Sequence, residues 1–220
     1  MHHFETVGLY DGISVMRDVE SKTLWNHITG EALYGSYVGR SLGTVGNMLQ
    51  MSVEQAMVMH PAVRVAISGQ PYSVGGVGQD RWAPPNSNVR LTPMFADTIG
   101  AEDDRLPRMS IGLGIVTDAT VRFYPMGLIE ERGALVDQVD DRRVLLFVDP
   151  TTFTPAALFV DASSATLHGK EIRLDTGRVV RTGLLYDASV TRVDAERPLQ
   201  LFSRWYGFSL TFPGPEIFGH

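Results

Sequence analysis

The sequence predicts a mostly β fold made of two unequal pseudo-repeats of short antiparallel strands, each closed by a short helix, in a barrel- or sandwich-like arrangement. Three observations predict it. Between Phe4 and Leu42, short apolar runs rich in β-branched and aromatic residues are interrupted by glycines. From Ile111 onward, strand-like runs repeatedly flank turn residues. A short helical pattern followed by proline occurs once in each half.

The first half is predicted to contain short strands with tight turns and then one helix. Ser52 is followed three residues later by Gln55, which fits a capping box, and Pro61 prevents the helix from continuing. We therefore predict a helix over 52–59. It completes a truncated N-terminal pseudo-repeat that spans residues 1–68.

A long connection is predicted over 69–108, where glycine, proline, asparagine and aspartate are frequent and no period is sustained. Its aromatic residues and arginines favour a joint that packs down onto the rest of the chain. We predict that this joint links the first half to a β-rich C-terminal pseudo-repeat over 109–220, and that the three parts form one compact unit.

The second half is predicted to be a series of hairpins closed by a short amphipathic segment. The paired runs are Ile111–Val116 with Thr120–Tyr124, Arg143–Val148 with Ala156–Val160, and Glu171–Leu174 with Arg178–Tyr186. Phe202, Trp205 and Phe208 then recur at three-residue spacing before Pro213. Residues 204–217 correspond to residues 52–65 in this respect, since each segment reads as helix, proline and short strand.

Composition and charge exclude several classes of protein. The 220 residues contain no cysteine, which excludes disulfides, thiolate metal sites, iron–sulfur clusters and cysteine nucleophiles. A net charge of -6 disfavours a nucleic-acid partner. No apolar run approaches the ~20 residues that cross a bilayer, and no signal peptide is visible. We expect a soluble protein without a transmembrane segment, cytoplasmic by default.

The run from Met16 to Gly35, MRDVESKTLWNHITGEALYG, resembles the D-x-E/Q-T-x-S-x-W-x-x-x-T-G-E-A-x-x-G signature of the prokaryotic family called domain of unknown function 3179. Later segments are similar to that family's second half: Asp104-Arg105-Leu106-Pro107, Phe123-Tyr124-Pro125 and Phe153–Val160. Members carry C-P-L-C cysteine pairs, whereas residues 151–156 here read TTFTPA. The resemblance implies a shortened, cysteine-free member. It also admits a periplasmic location, and the family has no established activity.

The sequence contains no complete catalytic, phosphate-binding or metal-binding motif. The partial matches are better explained as turns or core packing. Gly207-Phe208-Ser209-Leu210-Thr211 lacks the second glycine of a nucleophile elbow, and no helix pattern follows Gly75-Gly76-Val77-Gly78. The histidines are scattered, and methionines at helical spacing near His60 are typical of core packing. We therefore predict no catalytic residue, no metal and no cofactor.

Two hypotheses for function remain. The first is a non-catalytic structural or protein-binding subunit, an accessory component of a larger protein complex that could associate peripherally with a membrane complex. Its predicted interface residues are the aromatics of the irregular segments, Tyr72, Trp82, Phe95, Trp205 and Phe218.

The alternative hypothesis is a small-ligand-binding protein, or an enzyme of unknown reaction, whose pocket lies between the two halves. The predicted lining residues are Trp25, His27, His60, Arg81 and Arg105.

Overall fold

The computed structural model describes residues 2–43, 46–47, 49–64, 91 and 93–219, and their regular structure is mostly strand. The strands are β1 (Phe4–Tyr10), β2 (Ile13–Asp18), β3 (Leu24–Asn26), β4 (Ala32–Tyr34), β5 (Ile111–Val116), β6 (Val121–Pro125), β7 (Ala134–Val139), β8 (Arg142–Val148), β9 (Pro155–Val160), β10 (Ala165–His168), β11 (Glu171–Leu174), β12 (Val179–Arg181), β13 (Leu184–Tyr186), β14 (Arg192–Val193), β15 (Leu199–Arg204) and β16 (Glu216–Ile217). The helices are α1 (Val53–Met59), α2 (Pro93–Ala96), α3 (Met126–Arg132) and α4 (Trp205–Thr211).

The chain divides into two compact units, and each unit collects separate stretches of sequence. Unit 1 comprises Met1–Met48, Arg90–Leu128 and Pro198–His220, and unit 2 comprises Leu49–Val89 and Ile129–Arg197. The predicted division consists of three consecutive segments, 1–68, 69–108 and 109–220. In the structure, each unit instead contains residues from both halves of the chain. Residues 69–90 and 92 of the predicted joint lie outside the described residues.

Unit 1 contains two four-stranded sheets. One has the order β1-β2-β3-β4 with every neighbouring pair antiparallel. Its first hairpin turns over Asp11 and Gly12, whose φ angles of 50° and 68° fit a two-residue turn with the twist of the flanking strands. The other sheet has the order β15-β5-β6-β16, and β16 pairs with β6 in parallel, an exception to the predicted antiparallel pairing.

The core of unit 1 is an aromatic cluster around α4. Phe123 of β6, Trp205 and Phe208 of α4, and Ile217 of β16 form it, and the three aromatic side chains are fully buried. Gly114 of β5 faces the Phe208 ring: a Cβ at this position would lie 1.9 Å from Cε2 of Phe208. The absence of a side chain at Gly114 therefore lets the helix approach the sheet.

Unit 2 contains the three-stranded sheet β7-β8-β9 and the five-stranded sheet β10-β11-β12-β13-β14, both antiparallel. Alternate side chains of the two sheets form one apolar cluster, which includes Leu145, Phe147, Leu158, Ile172 and Leu185. Among the described residues none of the four sheets closes on itself, so the barrel-like variant of the prediction is wrong.

The helix prediction for 52–59 is confirmed by α1. Its N-cap Ser52 accepts a hydrogen bond from the Gln55 N–H, and the Gln55 side chain accepts one from the Ser52 N–H, which is the predicted capping box. α3 was not predicted, and it follows β6 without a separating turn residue. No helix in the described ranges is long and apolar enough to cross a membrane.

The predicted hairpins at 111–124 and 143–160 are confirmed by β5–β6 and β8–β9. The prediction of a single strand over 178–186 is wrong, because this segment forms the two strands β12 and β13. Thr182 and Gly183 have φ angles of 49° and 73°, so the chain reverses between β12 and β13 and forms a further hairpin. Residues 199–204, ahead of α4, form strand β15.

Candidate functional site

The signature region, residues 16–35, begins with a turn organised by Asp18. Asp18 is only 1% exposed. Its carboxylate accepts hydrogen bonds from the Ser21 hydroxyl at 2.5 Å and the Glu20 N–H at 3.1 Å, and it also contacts His2 Nδ1 at 2.9 Å. These bonds, above all the one from Ser21, hold the pKa of the Asp18 carboxyl well below its usual range. Asp18 is therefore a charged structural group within the turn.

The rest of the signature also builds the fold. Trp25 is buried, and its ring lies 6.1 Å from that of Tyr37. The Asn26 side chain accepts from two successive backbone N–H groups, and Gly30 has a φ of 71°, which favours glycine. At Gly35 a Cβ would lie 2.9 Å from Cα of Thr23. Turn geometry and close packing thus explain the amide and glycine positions, and the Trp25 ring is buried in the same region.

Among the residues predicted to bind a ligand, Trp25, His27 and Arg105 belong to unit 1. The exposed His27 contacts the Ser14 carbonyl oxygen through Nδ1 at 2.6 Å. In the same unit, Arg105 pairs with Asp103 at 2.6 Å and its guanidinium lies over the Trp205 ring. His60 belongs to unit 2, as the C-cap of α1, and Arg81 lies outside the described residues.

Three of the five predicted interface residues lie in the described part of the chain, and all three belong to unit 1. Tyr72 and Trp82 lie outside the described residues. Phe95 is half-buried in α2, and the half-buried Phe218 stacks on Tyr124 with ring centroids 5.1 Å apart. Trp205 is fully buried and donates its indole N–H to the Asp103 carbonyl oxygen, so its ring has no exposed surface to offer a partner.

His2, Asp18 and Glu20 are the described group that could hold a metal ion, since their ligand atoms lie within 4.8 Å of one another. These groups already have partners: Glu20 is bonded to His3 at 2.5 Å, and Asp18 accepts the turn bonds. A cation would have to displace this network. The N-terminal histidines meet the signature carboxylates only through the pairing of β1 with β2, which no local sequence pattern indicates.

A second aspartate turn lies in unit 2, and here the carboxylate belongs to a buried polar cluster. Asp149, 4% exposed, accepts hydrogen bonds from the Thr151 and Thr152 N–H groups and from Gln55 Nε2 at 2.9 Å. Arg197 donates to the carbonyl oxygens of Ala157 and Gly183. Burial lowers the pKa of Arg197 to about 10, and the Asp149 carboxylate opposes that shift. No sequence pattern indicated this cluster, because Gln55 and Asp149 are 94 residues apart.

The two aspartate turns share one hydrogen-bond pattern. Asp18 and Asp149 each donate a backbone N–H to the carbonyl oxygen five residues on, at 2.9 Å in both turns. Each accepts on its backbone oxygen from the N–H four residues on, at 2.8 Å, and on its carboxylate from the N–H two residues on. The fourth residue, Lys22 or Phe153, has a φ of 59° or 56°.

Unit 2 also contains an open cleft of about 740 Å³ at one end of its two sheets. Apolar side chains of β9, β13 and β14 line it together with charged side chains of β8 and of the segment before β15. This volume lies in the range of small-molecule sites. No sequence pattern predicted this cleft, because residues from 138 to 196 meet there only through the pairing of the strands.

Comparison with curated proteins finds no match, and comparison with solved structures finds none either. The family described as protein of unknown function (DUF3179) matches residues 2–199, most of the 220-residue chain. The resemblance of residues 16–35 to that family's signature is thereby confirmed, and the chain belongs to the DUF3179 family.

Proposed function

We propose that this protein is a non-catalytic protein-binding subunit that docks an extended segment of a partner protein along strand β1. Such a subunit would serve as an accessory component of a larger complex. The observation that carries the proposal is the exposure of β1: six of its seven residues are exposed, and Leu9 alone is half-buried. Phe4, Val7 and Tyr10 are 44%, 42% and 60% exposed.

The position of β1 supports docking by strand addition. β1 is an edge strand, and β2 is its only strand neighbour in the described part of the chain. The opposite edge of the sheet differs, because residues 40–42 lie beside β4: the Ala32 N–H donates to the Arg40 oxygen, and the Leu42 N–H donates to the Gly30 oxygen. An edge strand with apolar side chains and an open backbone is a template for pairing with another chain.

The register of β1 indicates which backbone groups face a partner. The Val19 N–H donates to the His3 oxygen at 2.8 Å, and facing pairs in an antiparallel ladder alternate between bonded and non-bonded. Phe4 faces Asp18 and Thr6 faces Met16, so the N–H and C=O groups of Phe4 and Thr6 point away from β2. The register shifts between Thr6 and Gly8, so a docked strand would pair with the part before this bulge.

The test combines a backbone block with site-specific cross-linking in the native host. Thr6→Pro removes the outward N–H without removing a bond to β2, whereas Thr6→Ala keeps that N–H and serves as the matched control. A photoreactive amino acid at Phe4 should cross-link one partner protein, in the Thr6→Ala background but not in the Thr6→Pro background. The same probe at Tyr34, beside the covered edge, should not capture that partner. Cross-linking within the chain, or capture that is insensitive to Thr6→Pro, would refute the proposal.

We also propose that the two halves of the chain are related repeats. The shared pattern of the two aspartate turns supports this idea. α1 and α4 support it further, because each has seven residues and an extended N-cap, and each ends at a C-cap with φ near −130° and ψ near 87° (−134° and 89°, −125° and 85°) followed by proline. The ligand pocket predicted between the two halves stays a prediction.

A further inference from the structure

The cleft of unit 2 has an apolar floor and a charged rim. The floor consists of Val160, Leu185, Val193 and Ala195, and all four side chains also contribute to the apolar cluster between the two sheets of this unit. The cleft is therefore an extension of the core toward solvent. A floor of this kind suits the apolar body of a small molecule.

The rim carries three arginines, of which two are neutralised. Arg142 pairs with Glu196 at 2.9 Å and lies over the Phe159 ring, 3.4 Å from its centroid. Arg178 pairs with Asp161, also at 2.9 Å. Each of these two pairs places a carboxylate beside the guanidinium and offsets its charge.

Arg143 differs from both, because it has no ion-pair or hydrogen-bond partner among the described residues. The strand register places it opposite Gln138 of β7 and Val160 of β9, so its side chain leaves the sheet on the face that carries the floor. An exposed guanidinium beside an apolar floor presents paired N–H donors to a carboxylate.

The acidic residues of the rim restrict the charge of the ligand. Asp141, Asp161, Asp194 and Glu196 line the same cleft, and Asp194 has no partner among the described residues. These carboxylates repel a polyanion such as a nucleotide more strongly than a ligand with a single carboxylate, which needs only the Arg143 guanidinium as its partner. The charge distribution thus favours a monoanion over a phosphate compound.

We propose that unit 2 binds a small amphiphilic carboxylate, with the carboxylate on Arg143 and the apolar body over Val160, Leu185, Val193 and Ala195. This site is separate from strand β1, which belongs to unit 1. The protein-binding proposal and the ligand proposal can therefore fail independently.

The test is titration of the full chain with decanoate, followed by amide chemical shifts and by calorimetry. We expect saturable shifts at residues 138–143, 160, 185 and 193–196, and binding at least about tenfold weaker in Arg143→Gln, the factor expected when a charged hydrogen-bond partner is lost. Arg173→Gln is the matched control, since Arg173 is an exposed arginine of β11 outside the cleft. It should bind decanoate as the wild type does.

Two further ligands and one further variant complete the design. Decylammonium tests the sign of the charge, and decyl phosphate tests the preference for a monoanion; both should bind more weakly than decanoate. Ala195→Phe should weaken decanoate binding by filling the floor, whether or not Arg143→Gln folds. Absence of saturable shifts, shifts outside the cleft, or equal affinities in wild type and Arg143→Gln would overturn the proposal.

Discussion

Individual residues of the signature act through hydrogen bonds and packing. Asp18 shows this most clearly, because a nearly inaccessible carboxylate is kept charged by the hydroxyl and N–H groups of its own turn. The Asp149 carboxylate likewise accepts hydrogen bonds from backbone N–H groups of its own turn in unit 2, and the Gln55 amide adds a further one. The carboxylate of Asp18 is thus already bonded within its own turn, and the docking proposal uses the outer edge of β1 instead.

The lowered pKa of Asp18 predicts a specific acid response. A carboxyl group whose pKa is lower in the folded than in the unfolded state stabilises the fold at pH values above its unfolded pKa, and this contribution is lost as pH falls. Since an unfolded aspartate titrates near pH 4, the free energy of unfolding of the wild type should fall more steeply below about pH 4 than that of Asp18→Asn. Above about pH 4 the variant should be less stable than the wild type. Urea unfolding followed by circular dichroism across this pH range measures both effects.

Asp118→Asn provides the control for the acid response. Asp118 is an exposed carboxylate in the turn between β5 and β6, and its replacement should leave the pH dependence of stability unchanged. Parallel curves for wild type and Asp18→Asn would show that the turn does not depend on the charge of Asp18.

At the scale of elements, the sequence predicted the helix cap and the hairpins that depend on residues close together in the chain. The capping box of α1 and the hairpins β5–β6 and β8–β9 depend on neighbouring residues, and the sequence predicted all three. The turn at Thr182-Gly183 was missed because threonine with a positive φ is uncommon. The side-chain contact of Gly114 with Phe208 was also missed, since it joins residues far apart in sequence.

The contact between β5 and α4 predicts opposite outcomes for two glycine substitutions. Gly114→Ala would place a methyl group 1.9 Å from Cε2 of the Phe208 ring, so we expect a loss of about 1–3 kcal/mol in the free energy of unfolding. Gly207→Ala lies within α4, where the nearest atom to the new methyl group is 3.9 Å away, and it should stabilise the helix by up to about 1 kcal/mol. Thermal and urea unfolding of both variants measure the difference.

A third variant identifies the cause of any loss in Gly114→Ala. Adding Phe208→Leu removes the ring that the methyl group would strike, so the second substitution should cost less in the Gly114→Ala background than in the wild type. Equal costs in the two backgrounds, or equal stabilities of the two glycine variants, would contradict the close approach of α4 to β5.

At the scale of the whole molecule, each half of the chain contributes a helix to the unit that is built mainly from other segments. α1 is in the first half of the chain and belongs to unit 2, where Gln55 bonds Asp149, 94 residues away. α4 is in the second half and belongs to unit 1. In unit 1, the Asn47 side chain bonds the Pro198 oxygen and the Gln200 N–H at 2.9 and 2.8 Å. Periodicity and turn residues carry no information about such pairings, so the sequence predicted the strands and the family but not the units or the cleft.

This arrangement predicts that loss of the C-terminal 23 residues unfolds one unit and spares the other. A chain that ends at Arg197 lacks β15 and β16, both edges of the sheet around β5 and β6, and it lacks Trp205 and Phe208 of the core. Unit 2 keeps every segment that it contains. Amide spectra of the truncated chain should therefore retain dispersed signals from β7–β14 and lose those from β1–β6. A chain that ends at Phe218 should give the spectrum of the full chain, because it keeps both strands and the core. Persistence of the unit 1 signals, or collapse of both sets, would show that the two units do not depend on these segments as their contacts indicate.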